Sequence, residues 1–263
     1  MKKIKALQKK ILTWYQHHGR QLPWRTTTNP YHILVSEIML QQTQVDRVIP
    51  YYTRFLTTFP TLQTLATAKK KQLLSNWSGL GYNHRALRLQ QTAQAILEHH
   101  QGKLPADYEI LITLPGIGPY TARALLAFAY NQDVPVIDTN IRRVIIHELH
   151  LPETIDKKKL EHYAQQLIPR GKSARWHNAL MDYGALHLTV RTTGIKPLNK
   201  QTTFKGSTRQ LRGMIIKKLL TKKYTVLQLQ QELPDQRLLA VLTILEHEGF
   251  LTRNKKVVTI AKE

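Results

Sequence analysis

The sequence has no cysteine and few acidic residues. The missing cysteines exclude disulfides, thiolate zinc sites and iron–sulfur clusters held by thiolates. Only 17 aspartates and glutamates oppose 39 lysines and arginines, which gives a formal net charge of +22. Such a field attracts polyanions, so the composition predicts a nucleic acid as the partner. A membrane surface or an acidic protein is the weaker alternative.

The sequence also lacks any apolar run close to the roughly 18 residues that a membrane-spanning helix needs. The basic start Met1–Lys5 is not followed by the apolar segment of a secretory signal. The 12 histidines are scattered and have no carboxylates at metal-ligand spacing. We therefore expect a cytoplasmic, nucleoid-associated monomer that binds no metal and no cofactor.

Periodic apolar residues predict a mainly α-helical chain up to about residue 190. Residues 191–206 show little periodicity and many turn-forming residues, which indicates a linker. Residues 207–263 predict three helices and two short strands around a polar turn, a pattern that resembles a basic winged-helix module. The predicted domains are therefore 1–190 and 207–263. The expected helices are 3–18, 31–44, 47–58, 62–67, 70–76, 84–99, 107–113, 119–130, 140–149, 157–168, 173–185, 207–221, 224–232 and 234–249.

A glycine-containing turn precedes the helix expected at 119–130. Pro-Gly-x-Gly followed by small helical residues presents backbone amides at a helix N-terminus, which can bind a phosphate. We assign DNA binding to Gly116, Ile117, Gly118 and Thr121. An ordinary turn between two helices is the structural alternative, since glycine and proline are common at helix ends.

Two carboxylates have different sequence environments. Asp138 comes just before the helix expected from residue 140, where a helix N-terminus should lower its pKa and keep it ionised. A simple N-cap explains the same position. Glu37 lies in the apolar run 33–40, where burial should raise its pKa, unless it lies on a polar stripe of the helix. Carboxylates whose pKa values are pushed apart can act as an acid and an electrostatic stabiliser.

These motifs and their spacing resemble the helix-hairpin-helix DNA glycosylases, and among them the adenine glycosylases of the MutY type. The similarity covers roughly residues 5–190. It implies a glycosylase domain of two helical subdomains flanking a cleft. The stretches that carry it are Leu22-Pro23-Trp24-Arg25, Ser36-Glu37-Ile38-Met39-Leu40-Gln41-Gln42-Thr43-Gln44-Val45, Trp77-Ser78-Gly79-Leu80-Gly81-Tyr82, the turn at 114–122, and Asp138.

The resemblance implies a role for each residue of the site. Glu37 would protonate the leaving adenine at N7, Asp138 would stabilise the oxocarbenium ion, and Asn140 would position the attacking water or Asp138. Arg25 and Tyr120 would line the base pocket. Relatives that also cut the DNA strand carry lysine at the position of Tyr120, so we expect a monofunctional hydrolase that leaves an abasic site.

Three further residues would contact the DNA duplex by the same resemblance. Gln41 and Gln42 would wedge into the space that the base leaves, and Tyr82 would intercalate beside the opposite base. The sequence also departs from the family. In the family, four cysteines usually follow the stretch Met181–Ala185 and hold an iron–sulfur cluster. They are absent here, which indicates a branch of the family without that cluster. The C-terminal unit is also too short and too helical for the Nudix-like domain of the family.

The sequence therefore predicts a base-excision enzyme that acts on double-stranded DNA containing a mismatched or damaged base. Removal of adenine opposite 8-oxoguanine or guanine is the leading hypothesis. Removal of uracil or thymine opposite guanine is the alternative. A DNA-binding protein without catalysis is a third interpretation, although such a protein would have no physical reason to keep a carboxylate in an apolar helix.

Overall fold

The computed structural model describes residues 2–198, 203–254 and 257–262. The described chain is mainly helical, which confirms the predicted fold class. Among its helices, none combines the length and the apolar character needed to cross a lipid bilayer. The helices are α1 Lys2–His18, α2 Pro30–Leu40, α3 Val45–Thr58, α4 Leu62–Ala66, α5 Lys70–Trp77, α6 His84–His99, α7 Tyr108–Leu111, α8 Pro119–Phe128, α9 Thr139–Glu148, α10 Lys157–Gln166, α11 Ser173–Asp182, α12 Val190–Thr193, α13 Thr208–Thr221, α14 Val226–Glu232 and α15 Leu238–His247. The strands are β1 Tyr224–Thr225, β2 Leu251–Asn254 and β3 Val257–Ile260.

Several expected helix boundaries were wrong by two to four residues; among them, the ends expected at 113, 130, 168 and 185 lie at Leu111, Phe128, Gln166 and Asp182. The helix expected to reach residue 44 ends at Leu40, because Gln42 adopts a left-handed φ of 57° that interrupts a helix. The helix expected from 224 begins at Val226, because Thr225 caps it and also belongs to a strand. The helix expected from 234 begins at Leu238, after a turn in which the Leu238 N–H donates to the Asp235 carbonyl.

The described residues divide by their internal contacts into two compact units. Residues 1–37 and 104–200 form one unit, and residues 38–103 and 201–263 form the other. The domain boundaries predicted from composition, at 190 and 206, are a different division and remain a prediction. Residues 199–202 of the predicted linker and the polar turn at 255–256 lie outside the described residues.

The core of the first unit lies where α1, α9 and α11 pack together. Ile11 of α1, Ile145 of α9 and Trp176 of α11 are almost completely buried there. A smaller cluster joins the alanines of α8 to Val136, which lies just before α9. Small alanine side chains allow this close packing. The two clusters support the first turns of α8 and α9, where Tyr120, Asp138 and Asn140 lie.

In the second unit, residues 203–254 and 257–262 build three helices and a three-stranded antiparallel sheet in the order β1-β3-β2. Tyr224 pairs with Val258, and Leu251 pairs with Ile260. Helix α13 contributes buried apolar side chains at Leu211, Ile215, Ile216 and Leu219. The three helices and the two strands β2 and β3 predicted from sequence are present, and β1 is an addition; that this unit is a winged-helix module remains a prediction. Lys70 Nζ of α5 donates to the Gly249 carbonyl at 3.0 Å, which links this segment to the earlier helices of its unit.

Candidate active site

Glu37 lies in α2 among apolar neighbours and is only 7% exposed. Burial, and then the negative charge of Asp138, raise the pKa of Glu37 to about 7, against the hydrogen bond from Tyr120 and the positive charge of Arg25. The direction of this pKa shift agrees with the prediction made for Glu37 from the apolar run 33–40. A carboxyl group with this pKa is partly protonated near neutral pH and can act as a general acid.

Tyr120 lies in the first turn of α8, where Pro119 begins the helix after Gly118. Its hydroxyl forms a hydrogen bond with the carboxyl group of Glu37. Burial, followed by the charges of Glu37 and Asp138, raises the pKa of Tyr120 well above its ordinary value. Tyr120 is therefore a neutral phenol that orients the acid.

Asp138 is the N-cap of α9. Its Oδ1 accepts the backbone N–H of Ile141 at 2.7 Å, and its Oδ2 accepts Nδ2 of Asn140 at 3.1 Å. The sequence-based expectation of a lowered pKa was wrong. Burial raises the pKa of Asp138 and outweighs the hydrogen bonds from Ile141 and Asn140 that act to lower it. The helix N-terminus is present as predicted, but the partial burial of Asp138 could not be seen in the sequence.

Arg143 and Gly184, which no local sequence pattern identifies, support the first turn of α9 that carries Asp138 and Asn140. Arg143, 5% exposed, donates from Nη1 to Asn140 Oδ1 at 3.2 Å and to the Gly184 carbonyl at 2.9 Å. Gly184 lies so close to the backbone of Asn140 that a Cβ atom at position 184 would be 2.7 Å from the Asn140 carbonyl oxygen, which is too short for a normal contact. Asn140 thus has its amide nitrogen on Asp138 and its amide oxygen on Arg143, which fixes its orientation.

Arg25 is anchored by a buried ion pair. Its two terminal nitrogens donate to the Asp182 carboxylate at 2.6 and 2.8 Å, and Arg20 donates to the same group through its backbone N–H and Nε. Burial acts to raise the pKa of Asp182, but the hydrogen bonds from Arg25 and Arg20 hold that pKa below its usual value. The Arg25 Nε is buried and has no hydrogen-bond partner within the described part of the chain. A buried donor of this kind is available to a ligand.

His177 of α11 supports the segment that leads into Asp138. Its Nε2 accepts the backbone N–H of Val136 at 3.1 Å, and its Nδ1 lies 2.8 Å from the Ser173 carbonyl. Burial lowers the pKa of His177 to about 4, so the ring is neutral at physiological pH. The Nδ1–H tautomer satisfies both contacts. Nothing in the local sequence identified this histidine.

The turn between α7 and α8 has the predicted hairpin form. Gly116 adopts a φ of 79°, which favours glycine, and Gly118 is the exposed N-cap of α8. Ile117 differs from the prediction, because its side chain is buried and its N–H donates to the Leu114 carbonyl at 3.1 Å. Its amide is therefore already used within the turn. The Thr121 side chain is also buried, inside the first turn of α8.

The second unit contains the residues predicted to enter the duplex. Arg85, 4% exposed, donates to the carbonyls of Met39 at 2.8 Å, Gln41 at 2.5 Å and Gly81 at 3.0 Å. Burial lowers the pKa of Arg85 to about 10, so the group stays charged. One buried arginine thus connects the end of α2, which carries the expected wedge, to the loop that ends at Tyr82. No local sequence pattern identifies Arg85 as a residue of this kind.

A buried acid of raised pKa beside a second carboxylate at a helix N-terminus is the arrangement expected of an enzyme that hydrolyses glycosidic bonds. Four predicted residues, Arg25, Glu37, Tyr120 and Asp138, interact by hydrogen bonds or charge, and Asn140 joins them through Asp138. No group of three histidine, aspartate or glutamate side chains within the described ranges could hold a metal ion.

Comparison with known proteins agrees with this class. Residues 35–170 match the family model described as HhH-GPD superfamily base excision DNA repair protein. The adenine DNA glycosylase of Mycobacterium tuberculosis is 37% identical over 242 residues, which cover 82% of this chain and 79% of that protein. The chain therefore belongs to the HhH-GPD superfamily of base excision DNA repair proteins, and the predicted identity as a DNA glycosylase is confirmed.

Solved structures show the same fold. A thermostable thymine-DNA glycosylase matches with a TM-score of 0.67 and 29% identity, over 73% of this chain and 90% of that chain. A non-covalent endonuclease III–DNA complex matches with a TM-score of 0.64 over 75% of this chain and 89% of that chain. At 18% identity, the second likeness concerns the fold alone.

Proposed function

We propose that this protein hydrolyses the bond between adenine and deoxyribose in double-stranded DNA where adenine is mispaired with 8-oxoguanine or guanine. The observation that carries the proposal is the buried Glu37, with a pKa of about 7, beside the capped carboxylate of Asp138. The name and sequence identity of the Mycobacterium tuberculosis relative favour adenine as the base.

The two carboxylates have different tasks in this reaction. Protonated Glu37 donates its proton to N7 of adenine, so that the base leaves as a neutral molecule when the glycosidic bond breaks. Asp138 accepts more hydrogen bonds than Glu37 and lies at the positive end of α9, so it is the group that faces the oxocarbenium ion as an anion. Asn140 holds Asp138 in place, and a water then adds to the sugar.

The residue at position 120 supports hydrolysis without strand cleavage. A strand-cutting enzyme of this type needs an amine that attacks the sugar and forms a Schiff base. Tyr120 has no amine, and its raised pKa keeps the phenol neutral and hydrogen-bonded to Glu37. The product is therefore an abasic site in an uncut strand.

Several features support DNA as the partner. The net charge of +22 favours binding to the phosphate backbone. Gly116, Gly118 and the N-terminus of α8 offer an anion site, while the buried Ile117 contributes only structure. Gln41, Gln42 and Tyr82 fill the space in the duplex, and Arg25 lines the base pocket with Tyr120. A monomer associated with the nucleoid in the cytoplasm fits this function.

Removal of uracil or thymine opposite guanine is the second candidate. It is favoured by the structural likeness to a thymine-DNA glycosylase at 29% identity. These pyrimidines leave as stabilised anions and have no N7 to protonate. Loss of the Glu37 acid should therefore impair adenine release more than pyrimidine release.

Single-turnover base release on a panel of duplexes tests the proposal. The duplexes hold A:8-oxoG, A:G, A:C, U:G, T:G and hypoxanthine:T, and wild type is compared with Asp138→Asn. We expect adenine release that Asp138→Asn abolishes while duplex binding persists. Release of uracil or thymine alone would favour the second candidate, and no release from any duplex would favour a DNA-binding protein without catalysis. Unchanged release by the variant would remove the mechanism.

A further inference from the structure

Tyr82 lies at the end of a loop with unusual backbone conformations. Its own φ is 48°, which is rare for an aromatic residue, and Gly79 and Gly81 have φ values of 107° and 76°. A side chain at Gly79 would also collide with the Tyr51 hydroxyl, 2.0 Å from the ideal Cβ position. Arg85 holds the loop through the Gly81 carbonyl. Strain that the surroundings maintain in this way is characteristic of functional positions.

The first turn of α13 places a second arginine against this tyrosine. The guanidinium carbon of Arg209 lies 4.8 Å from the centroid of the Tyr82 ring, and its Nη1 donates to the Tyr82 hydroxyl. The same guanidinium lies 5.5 Å from the ring of Phe204, which is 54% exposed. Aromatic rings and arginine planes in contact are the surfaces on which proteins stack nucleobases.

Helix α15 is less suited to contact DNA than the basic parts of the C-terminal segment, which include the exposed Lys217, Lys222 and Lys223. Helix α15, the third helix of the winged-helix-like unit, has no lysine or arginine on its exposed face. On α13, Arg212 and Lys218 are paired with Glu248 and Glu232. The exposed residues of α15 are Leu239, Ala240, Thr243, Ile244 and His247. A helix of this kind lacks the charge that a phosphate-lined groove attracts.

We infer that Arg209 and Tyr82 together contact the base opposite the excised adenine, and that Arg209 makes the C-terminal segment a determinant of opposite-base specificity. This inference rests on the proposed function, in which Tyr82 enters the duplex beside that base. Tyr82 supplies the stacking surface, and Arg209 supplies N–H donors in a rigid fork. 8-Oxoguanine carries a carbonyl oxygen on its five-membered ring, where guanine has only a hydrogen. The guanidinium can donate to that extra oxygen and thereby favour the oxidised base.

The test compares Arg209→Ala with Arg212→Ala, which removes the same type of side chain one turn further along α13. Adenine release is measured opposite 8-oxoguanine and opposite guanine. Binding is measured on the same duplexes with an uncleavable 2′-fluoro adenosine. Loss of one charge-assisted hydrogen bond should lower the 8-oxoguanine-to-guanine ratio about tenfold in both assays for Arg209→Ala. The ratio should not change for Arg212→Ala.

Arg209→Lys keeps the charge near Tyr82 but removes the rigid fork, so it should recover overall binding without the full preference. An unchanged ratio in Arg209→Ala, or an equal loss on both duplexes, would overturn the inference. The proposed function fails separately, if wild type releases no adenine from either duplex. In that case the binding ratio still decides whether Arg209 senses the opposite base.

Discussion

Replacement of Glu37 by glutamine should make the folded protein more stable at alkaline pH while it removes adenine release. The pKa of Glu37 is about 7 in the folded protein, against an ordinary value of 4.5. Above pH 4.5 the unfolded chain loses this proton readily, whereas the folded protein retains it up to about pH 7. The folded state of the wild type therefore loses stability as the pH rises through this window.

The size of the effect follows from the shift. Each pKa unit corresponds to about 1.4 kcal/mol, so ionisation of Glu37 destabilises the folded wild type by about 3 kcal/mol at pH 8. Glutamine cannot ionise, but it can still accept the hydrogen bond from Tyr120. Any fixed packing difference between the two side chains is the same at every pH. The difference in unfolding free energy between variant and wild type should thus shift by about 3 kcal/mol between pH 4.5 and pH 8, in favour of the variant.

Urea unfolding of both proteins at pH 4.5 and pH 8 measures this quantity. Single-turnover adenine release measured in parallel should be lost in the variant, and in wild type it should decline as the pH rises through about 7. A difference in unfolding free energy that is the same at both pH values would refute the reasoning. It would mean that Glu37 does not have a raised pKa in the folded protein.

Three further variants test the supporting structure. Gly184→Ala should lower base release and reduce the free energy of unfolding by about 1–3 kcal/mol, because the added Cβ meets the backbone of α9. Gly213→Ala adds a Cβ in open space and is the control in urea unfolding. The pKa of His177 is about 4 against an ordinary 6.5, so wild type should lose about 3 kcal/mol as the pH falls between these values. His177→Gln should lack that pH dependence; equal slopes would contradict the assignment. Tyr120→Phe removes a hydrogen bond that lowers the pKa of Glu37, so the alkaline limit of adenine release should move to higher pH, and an unchanged limit would argue against that bond.

Much of the fold and the site could be predicted from local sequence. Helix periodicity is a property of neighbouring residues, and it located most of the helices, including α8 and α9. The apolar run around Glu37 predicted burial and the direction of its pKa shift. The family motifs identified Asp138 and Tyr120 as residues of the same site, and the structure brings both into contact or charge interaction with Glu37.

The remaining features depend on contacts between residues far apart in the chain. Asp138 was expected to be more acidic than usual, but burial raises its pKa despite the hydrogen bonds from Ile141 and Asn140 and the positive charge of Arg143, which act to lower it. Arg85 reaches back more than 40 residues to the end of α2, and Arg209 reaches back 127 residues to Tyr82.

The sequence by itself thus determined the mainly α-helical fold class, the net positive charge and the choice of Glu37 and Asp138 as the two carboxylates of the site. Composition and short-range patterns of residues are enough to specify these features. Only the tertiary structure decided that Asp138 is partly buried, which arginine connects the loops that carry Gln41 and Tyr82, and which part of the C-terminal segment approaches Tyr82. Burial and long-range hydrogen bonds arise when distant segments pack together, and no local pattern specifies that packing.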